Sequence, residues 1–223
     1  MNAMAPRLLI LAPHIDDAEF GLGGMIQRRL ILEKAAIRVV VISTGSYTRS
    51  DGVEVLAHQR NEEMHTALQY LGLDDFSVHE GFPENGGLLW DYGKLVSIIE
   101  REVRKYEATE VFTCLPSFNQ DHRALFDATI TAFRPGNLAA NLYAYEYPGN
   151  CWGGGDPKFG KRYITALPNH VLRKIEALRL HKSQFDGRKV AVGPEAALIL
   201  ARQRGAEIGV EYAELIYVLK EII

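Results

Sequence analysis

Compact apolar runs alternate along this chain with longer stretches of helical period. Arg7 to Leu11 is an apolar run ending in Ala-Pro, the mark of a first strand, and a helical pattern follows from about Ala18 to Lys34. Arg38-Val-Val-Val-Ile42 is continuous and β-branched, as expected of a strand buried on both faces. A polar loop, Ser43 to Gly52, leads to a helix from about Val53 to Leu71 that Gly72 closes. Phe76 to His79 reads as a short third strand, and Gly81 to Leu89, with Pro83, Gly86 and Gly87, as a loop. Asp91 to Tyr106 is then a helix, Glu110 to Leu115 a strand and Asp121 to Phe133 a helix. Helix-length spacers between strands imply right-handed crossovers and a mostly parallel sheet with helices on both faces. The fold class predicted is α/β, a Rossmann-like three-layer sandwich.

The carboxyl third is less regular. Asn141 to Tyr147 reads as a strand and Pro148 to Gly160 as a glycine-rich loop. Arg162 to Leu167 reads as another strand, about Asn169 to Lys182 as a helix, Glu195 to Gln203 as the last helix and Tyr212 to Leu219 as the final strand. With no internal repeat, low-complexity tract or linker, residues 1–223 are read as one domain.

Composition narrows the class without changing it. The 223 residues are 47% hydrophobic and 24% charged, which excludes wholesale disorder. A formal charge of −3 argues against a generic nucleic-acid or anionic-membrane binder. No apolar run reaches the roughly 18–20 residues that span a bilayer, and Met1 to Leu11 reads as a strand and not as a secretion signal. Cys114 and Cys151 make neither a disulfide framework nor a four-cysteine zinc site. These features fit a cytoplasmic α/β domain, and the apolar carboxyl-terminal segment leaves homo-oligomer formation open.

The densest polar cluster is Pro13-His14-Ile15-Asp16-Asp17-Ala18-Glu19, directly after the first strand. In a parallel α/β sheet, ligands bind outside the carboxyl ends of the strands. His14 and Asp17 can converge there on one ion, with Asp16 free to face its open side; imidazole plus carboxylate suits Zn²⁺, with Fe²⁺ or Mn²⁺ as alternatives. The competing role is plain helix capping by Asp16 or Asp17. A second cluster, Pro116-Ser-Phe-Asn-Gln-Asp-His122, follows the strand at Glu110 to Leu115, and His122 would complete a two-His, one-Asp set.

Ala12-Pro-His-Ile-Asp-Asp-Ala-Glu-Phe-Gly-Leu-Gly-Gly24 resembles the signature of the PIG-L/LmbE-like N-acetylglucosaminyl deacetylases, zinc enzymes that remove acetyl from amino sugars. His58-Gln-Arg60-Asn-Glu-Glu63 is similar to the family's Arg-x-x-Glu helix, and Asn119-Gln-Asp-His122 to its second histidine motif. His181-Lys-Ser-Gln184 and Arg204 to Glu214 are similar to its carboxyl-terminal segments. The resemblance implies that His14, Asp17 and His122 hold the metal and that Asp16 is the general base. Two departures stand out. Ile15 replaces the usual proline, and Asn119 stands where many members carry a histidine credited with stabilising the tetrahedral intermediate or protonating the leaving amine. Asn119 can hydrogen-bond an oxyanion but has no proton to transfer.

Arg60 lies within roughly 50° of the Ala57, Met64, Leu68, Leu71 stripe and so faces inward. It either clamps a substrate hydroxyl, phosphate or carboxylate or pairs with Glu63 or another acid. His58, Glu62 and His65 share a helix side that reads as a solvated face, and His79, His170 and His181 receive no metal role. Trp90, Tyr145, Trp152 and Tyr163 are candidates for an aromatic sugar platform, with core packing the simpler reading of each; the Gly149 to Gly155 stretch is a candidate lid. Gly21-Leu-Gly-Gly24 lacks the spacing and position of a dinucleotide cradle, and no phosphate-binding loop or serine-hydrolase motif is present. The sequence therefore predicts a metal-dependent deacetylase of an N-acetylated sugar, against the alternative of a sugar binder that has lost efficient catalysis.

Overall fold

The structure, a computed structural model, describes residues 5–49, 51–79, 81–84, 86–149, 157–185 and 192–222. Its centre is a seven-stranded sheet in the order β5-β2-β1-β6-β7-β9-β8. Five of these strands are parallel: β1 (Arg7–Ala12), β2 (Ala36–Val41), β5 (Phe76–Val78), β6 (Glu110–Cys114) and β7 (Asn141–Tyr145). The antiparallel strands β9 (Ala213–Lys220) and β8 (Gly160–Thr165) extend one edge. The apolar runs at Leu8 to Ala12 and Val39 to Val41 are buried on both faces, which explains their lack of polar alternation.

Right-handed crossovers dictate where the helices go. The chain moves from β1 through α1 (Asp17–Leu32) to β2 and through α2 (Ala57–Tyr70) to β5, placing both helices on one face. It returns across the sheet through α3 (Tyr92–Tyr106) to β6 and through α4 (Gln120–Ala132) to β7, so these helices take the other face and pack together. Helix α5 (Pro168–Arg179) packs on α1, and α7 (Pro194–Glu207) on α5 and β9. The architecture is the α/β sandwich expected. The chain leaves β1 in one direction and its neighbour β6 in the other, so a switch crevice opens at their carboxyl ends.

Being covered by both the sheet and α5, α1 is buried continuously from Asp17 to Gln27. The glycines in it serve close packing. A Cβ on Gly21 would fall 2.2 Å from the Tyr145 ring, and one on Gly23 2.7 Å from the Lys174 stem. Beside them the buried Lys174 Nζ lies 2.7 Å from Glu214, whose carboxylate also accepts the Gly24 and Met25 N–H groups. Among the described residues no helix is long and apolar enough to cross a membrane.

Several expectations need correction. Val53 to Val55 is not helical: Glu54–Val55 (β4), within the start of the expected helix, pairs with Tyr47–Thr48 (β3), within the expected loop, in a hairpin, and α2 starts at Ala57. Two-residue strands are too short to show a period. The helix expected to reach Lys182 ends at Arg179, and a separate turn, α6 (Lys182–Phe185), follows. The last helix runs on to Glu207, and Gly87–Leu89 forms a 3₁₀ turn within the expected loop. Trp90 is 78% exposed and so packs no core; Tyr145 is fully buried, its hydroxyl donating to the Leu11 carbonyl at 3.0 Å. Trp152 and most of the Gly149 to Gly155 stretch lie outside the described residues.

Gly21→Ala is expected to cost about 1–3 kcal/mol through overpacking against Tyr145. Urea unfolding checks this; an unchanged midpoint would mean that α1 and Tyr145 have room to separate.

Candidate metal centre and cavity

The loop after β1 and the loop after β6 meet in the switch crevice. The Asp17 carboxylate, 2% exposed, stands between two imidazoles. Its Oδ2 is 3.0 Å from His14 Nδ1 and accepts the His14 backbone N–H at 3.0 Å, while Oδ1 is 3.3 Å from His122 Nε2. One potential ligand atom from each of His14, Asp17 and His122 lies within 4.8 Å of the others, and this is the one such cluster found among the described residues.

The remaining imidazole nitrogens are held from behind. His14 Nε2 is 3.1 Å from Asp121 Oδ2, and His122 Nδ1 is 3.0 Å from Ser117 Oγ. Such outer partners fix the tautomer and ring orientation of a metal-ligating histidine. Burial alone would lower the His14 pKa, but its hydrogen bonds to Asp121 and Asp17 carry it up to about 10. Burial likewise opposes ionisation of Asp17, yet His122 and His14 hold its carboxyl well below the usual range. The niche thus favours positive charge, and its N/O donors with outer-shell support fit a divalent transition metal.

Asp16 sits at the N-cap position of α1 but makes no side-chain cap hydrogen bond, which removes the simple capping role. It is half-buried on the cavity wall, and burial together with the Asp17 charge raises its pKa. Ile15, in the place of the usual proline, is buried in the core and anchors the loop by packing. Asn119 does cap: its Oδ1 accepts the Asp121 N–H at 2.8 Å at the start of α4.

His14, Asp16, Asp17, Asn119 and His122 line a cavity of about 280 Å³, completed by Tyr47, Arg60, Glu84, Phe118, Tyr147 and Gln184. Arg60 is 3% exposed and faces inward, as its helical phase predicts. It pairs with Glu84 at 2.6 Å, not with Glu63, and donates to the Gly45 carbonyl at 2.8 Å. Its Nε has no hydrogen-bond partner among the described residues. Glu63 instead receives the Ser183 N–H and hydroxyl at the start of α6. Gln184 on α6 accepts from the Tyr47 hydroxyl at 2.9 Å.

His58, Glu62 and His65 are exposed on α2, the solvated face expected. His181 is fully buried 3.1 Å from Glu19, and His79 lies 3.7 Å from Glu102. Sequence reasoning missed Glu84, whose loop carries no periodicity, and gave Asp121 no role although it adjoins His122.

Fold and site together define an α/β protein with a candidate divalent-metal centre at the sheet's switch point. The profile of PIG-L, described as GlcNAc-PI de-N-acetylase, matches residues 9–133, and the chain belongs to that family. No curated protein sequence matches the chain. Among solved structures it is similar to the conserved protein TT1542 from Thermus thermophilus, with 26% identity, a TM-score of 0.73 and coverage of 97% of this chain and 95% of the other. It is also similar to the zinc-inhibited form of the teicoplanin deacetylase Orf2 (17% identity, TM-score 0.74, 95% and 97% covered). A third likeness is to the N,N'-diacetylchitobiose deacetylase of Pyrococcus horikoshii (19% identity, TM-score 0.73, 97% and 84% covered). The latter two establish a shared fold.

Asp121→Asn is expected to weaken divalent-metal binding about 10–100-fold, because His14 loses its carboxylate partner. Calorimetric titration with Zn²⁺ checks this, and unchanged affinity would remove Asp121 from the support of the site.

Proposed function

We propose that this protein is a metal-dependent N-deacetylase of an amino sugar or sugar-bearing small molecule, with the whole chain acting as one deacetylase domain. The observation that carries the reading is a carboxylate with no capping duty, Asp16, facing the same cavity as the His14–Asp17–His122 cluster. Family membership and the deacetylases among similar folds support the reaction class. The cavity draws on Tyr147 and Gln184 as well as residues 9–133, which supports a single functional unit.

His14, Asp17 and His122 would hold the ion, with Zn²⁺ preferred and Fe²⁺ or Mn²⁺ as alternatives. A bound divalent ion would supply Lewis acidity at the acetyl carbonyl and make water easier to deprotonate. Asp16 accepts the proton of the attacking water; its raised pKa brings it closer to the working pH of a general base. Arg60 and Glu84 offer a donor and an acceptor side by side, the pairing that sugar hydroxyls satisfy. Because Glu84 offsets the guanidinium charge, a neutral sugar ring suits this wall better than a phosphate does.

Asn119 favours a second reading, a binder without efficient catalysis, since its oxygen is engaged in capping and it carries no transferable proton. Acetate release from a panel of N-acetyl sugars, with each of the three metals, separates the two. Asp16→Asn is expected to retain metal and lose turnover by about 10²–10⁴-fold, whereas His14→Ala and His122→Ala lose metal affinity. Full activity in Asp16→Asn would remove Asp16 as the base; sugar binding without acetate release in the metal-loaded wild type would establish the binder.

A further inference from the structure

The cavity lining holds three carboxylates, Asp16, Asp17 and Glu84, and one guanidinium, Arg60. A divalent ion on the His14–Asp17–His122 cluster would offset two of the carboxylates, which leaves Arg60 and Glu84 to cancel each other. No positive charge is then left over for an anionic ligand. Glu84 is the residue that closes this balance. Glu63, the acid nearer to Arg60 along the chain, is engaged by the Ser183 N–H and hydroxyl.

We propose that Glu84 sets the charge of the substrate: by neutralising Arg60 it makes the cavity take an uncharged N-acetylated sugar and reject one that brings a phosphate or carboxylate to this wall. This inference deepens the deacetylase reading and rests on it for the N-acetyl group, whereas the preference for an uncharged ligand can be measured without turnover. The pair is firmly placed. The side chains of Arg60 and Glu84 are 4% and 11% exposed, so their charges are little screened by salt. The Arg60 Nη1 that faces Glu84 at 2.6 Å also donates to the Gly45 carbonyl at 2.8 Å, and the Tyr47 ring lies over the guanidinium, 5.1 Å from its Cζ. Glu84 belongs to a loop fixed by the Gly86 N–H, which donates to Asp121.

The contact lies outside hydrogen-bond geometry, and Arg60 Nε and Glu84 Oε1 are both buried without a hydrogen-bond partner among the described residues. The pair therefore cancels charge while keeping hydrogen-bonding capacity. A hydroxyl suits it, because a hydroxyl accepts from a guanidinium and donates to a carboxylate. An anion drawn to Arg60 would lie beside the Glu84 carboxylate, and like-charge repulsion opposes it. Without the Glu84 charge, the same guanidinium would be an uncompensated fork of the kind that takes phosphate or carboxylate.

The test compares glucosamine carrying an N-methanesulfonyl group, which has no acetyl carbon to attack, with its 1-phosphate and 6-phosphate. Calorimetric titration of the Zn²⁺-loaded wild type is expected to give a Kd for the neutral sugar about tenfold or more below that for either phosphate. In Glu84→Gln the ratio is expected to move about 10–100-fold toward the phosphates, the scale of one charge met at short range in a partly buried site. Glu84→Asp, which keeps the charge, stays within about threefold of the wild-type ratio, and the double variant Arg60→Gln/Glu84→Gln loses the gain. Equal affinity of the wild type for neutral and phosphorylated sugars overturns the proposal, and this arm decides even where Glu84→Gln does not fold. An unmoved ratio in Glu84→Gln overturns it as well, as does a gain that survives in the double variant. Failure of the wild type to release acetate from any N-acetyl sugar overturns the deacetylase reading alone, because the binding ratios are read without turnover.

Discussion

The site depends on one buried carboxylate held between two imidazoles. Asp17 uses one oxygen for His14 and the other for His122, and so joins loops more than a hundred residues apart. A carboxylate this deep is unfavourable unless it is paired. The pairing is available only because β1 and β6 are adjacent parallel strands whose carboxyl ends lie side by side. Outer partners repeat the logic. Asp121 reaches forward to His14 and backward to the Gly86 N–H, so the loop that carries Glu84 is tied to the same cluster.

The remainder of the chain closes the cavity from the other side. Helix α6 is four residues long and could not hold its place by propensity alone. It is positioned by Glu63 through Ser183, by Tyr47 through Gln184 and, at its amino end, by the buried Glu19–His181 pair. Farther out, Arg204 makes two 2.7 Å contacts with Glu146, just past β7, and Lys174 pairs with Glu214 on β9, fastening α7 and α5 to the sheet. These buried pairs cost desolvation and are weak arguments for stability in themselves. Tyr147 and Gln184 line the same cavity as Asp16.

Much of this architecture was legible along the chain. Strands such as Arg38 to Ile42 declared themselves by continuous β-branched residues, and helix-length spacing implied the parallel topology and hence the crevice. The pairing of a His–Asp loop after β1 with another after β6 followed from the rule that ligands sit at strand carboxyl ends. The hairpin at Tyr47–Thr48 and Glu54–Val55 was not legible, because two-residue strands gain their definition from a partner and not from their own pattern. Arg60 could be turned inward from helical phase, but its partner could not be named: Glu84 lies in a loop without period, and Glu63, the nearer acid in sequence, is drawn away by Ser183.

The sequence by itself determined the strands of the central sheet and its long helices, that the sheet is largely parallel, and which residue types gather at its carboxyl edge. It could do so because hydrophobic period and crossover handedness are local and general. Tertiary structure alone decided which acid faces which base. It pairs Arg60 with Glu84, sets Asp121 behind His14, relieves Asp16 of capping and brings Tyr147 against His122. Those choices depend on distances of about 3 to 5 Å between segments remote in sequence, and such distances are set by packing, which no local pattern records.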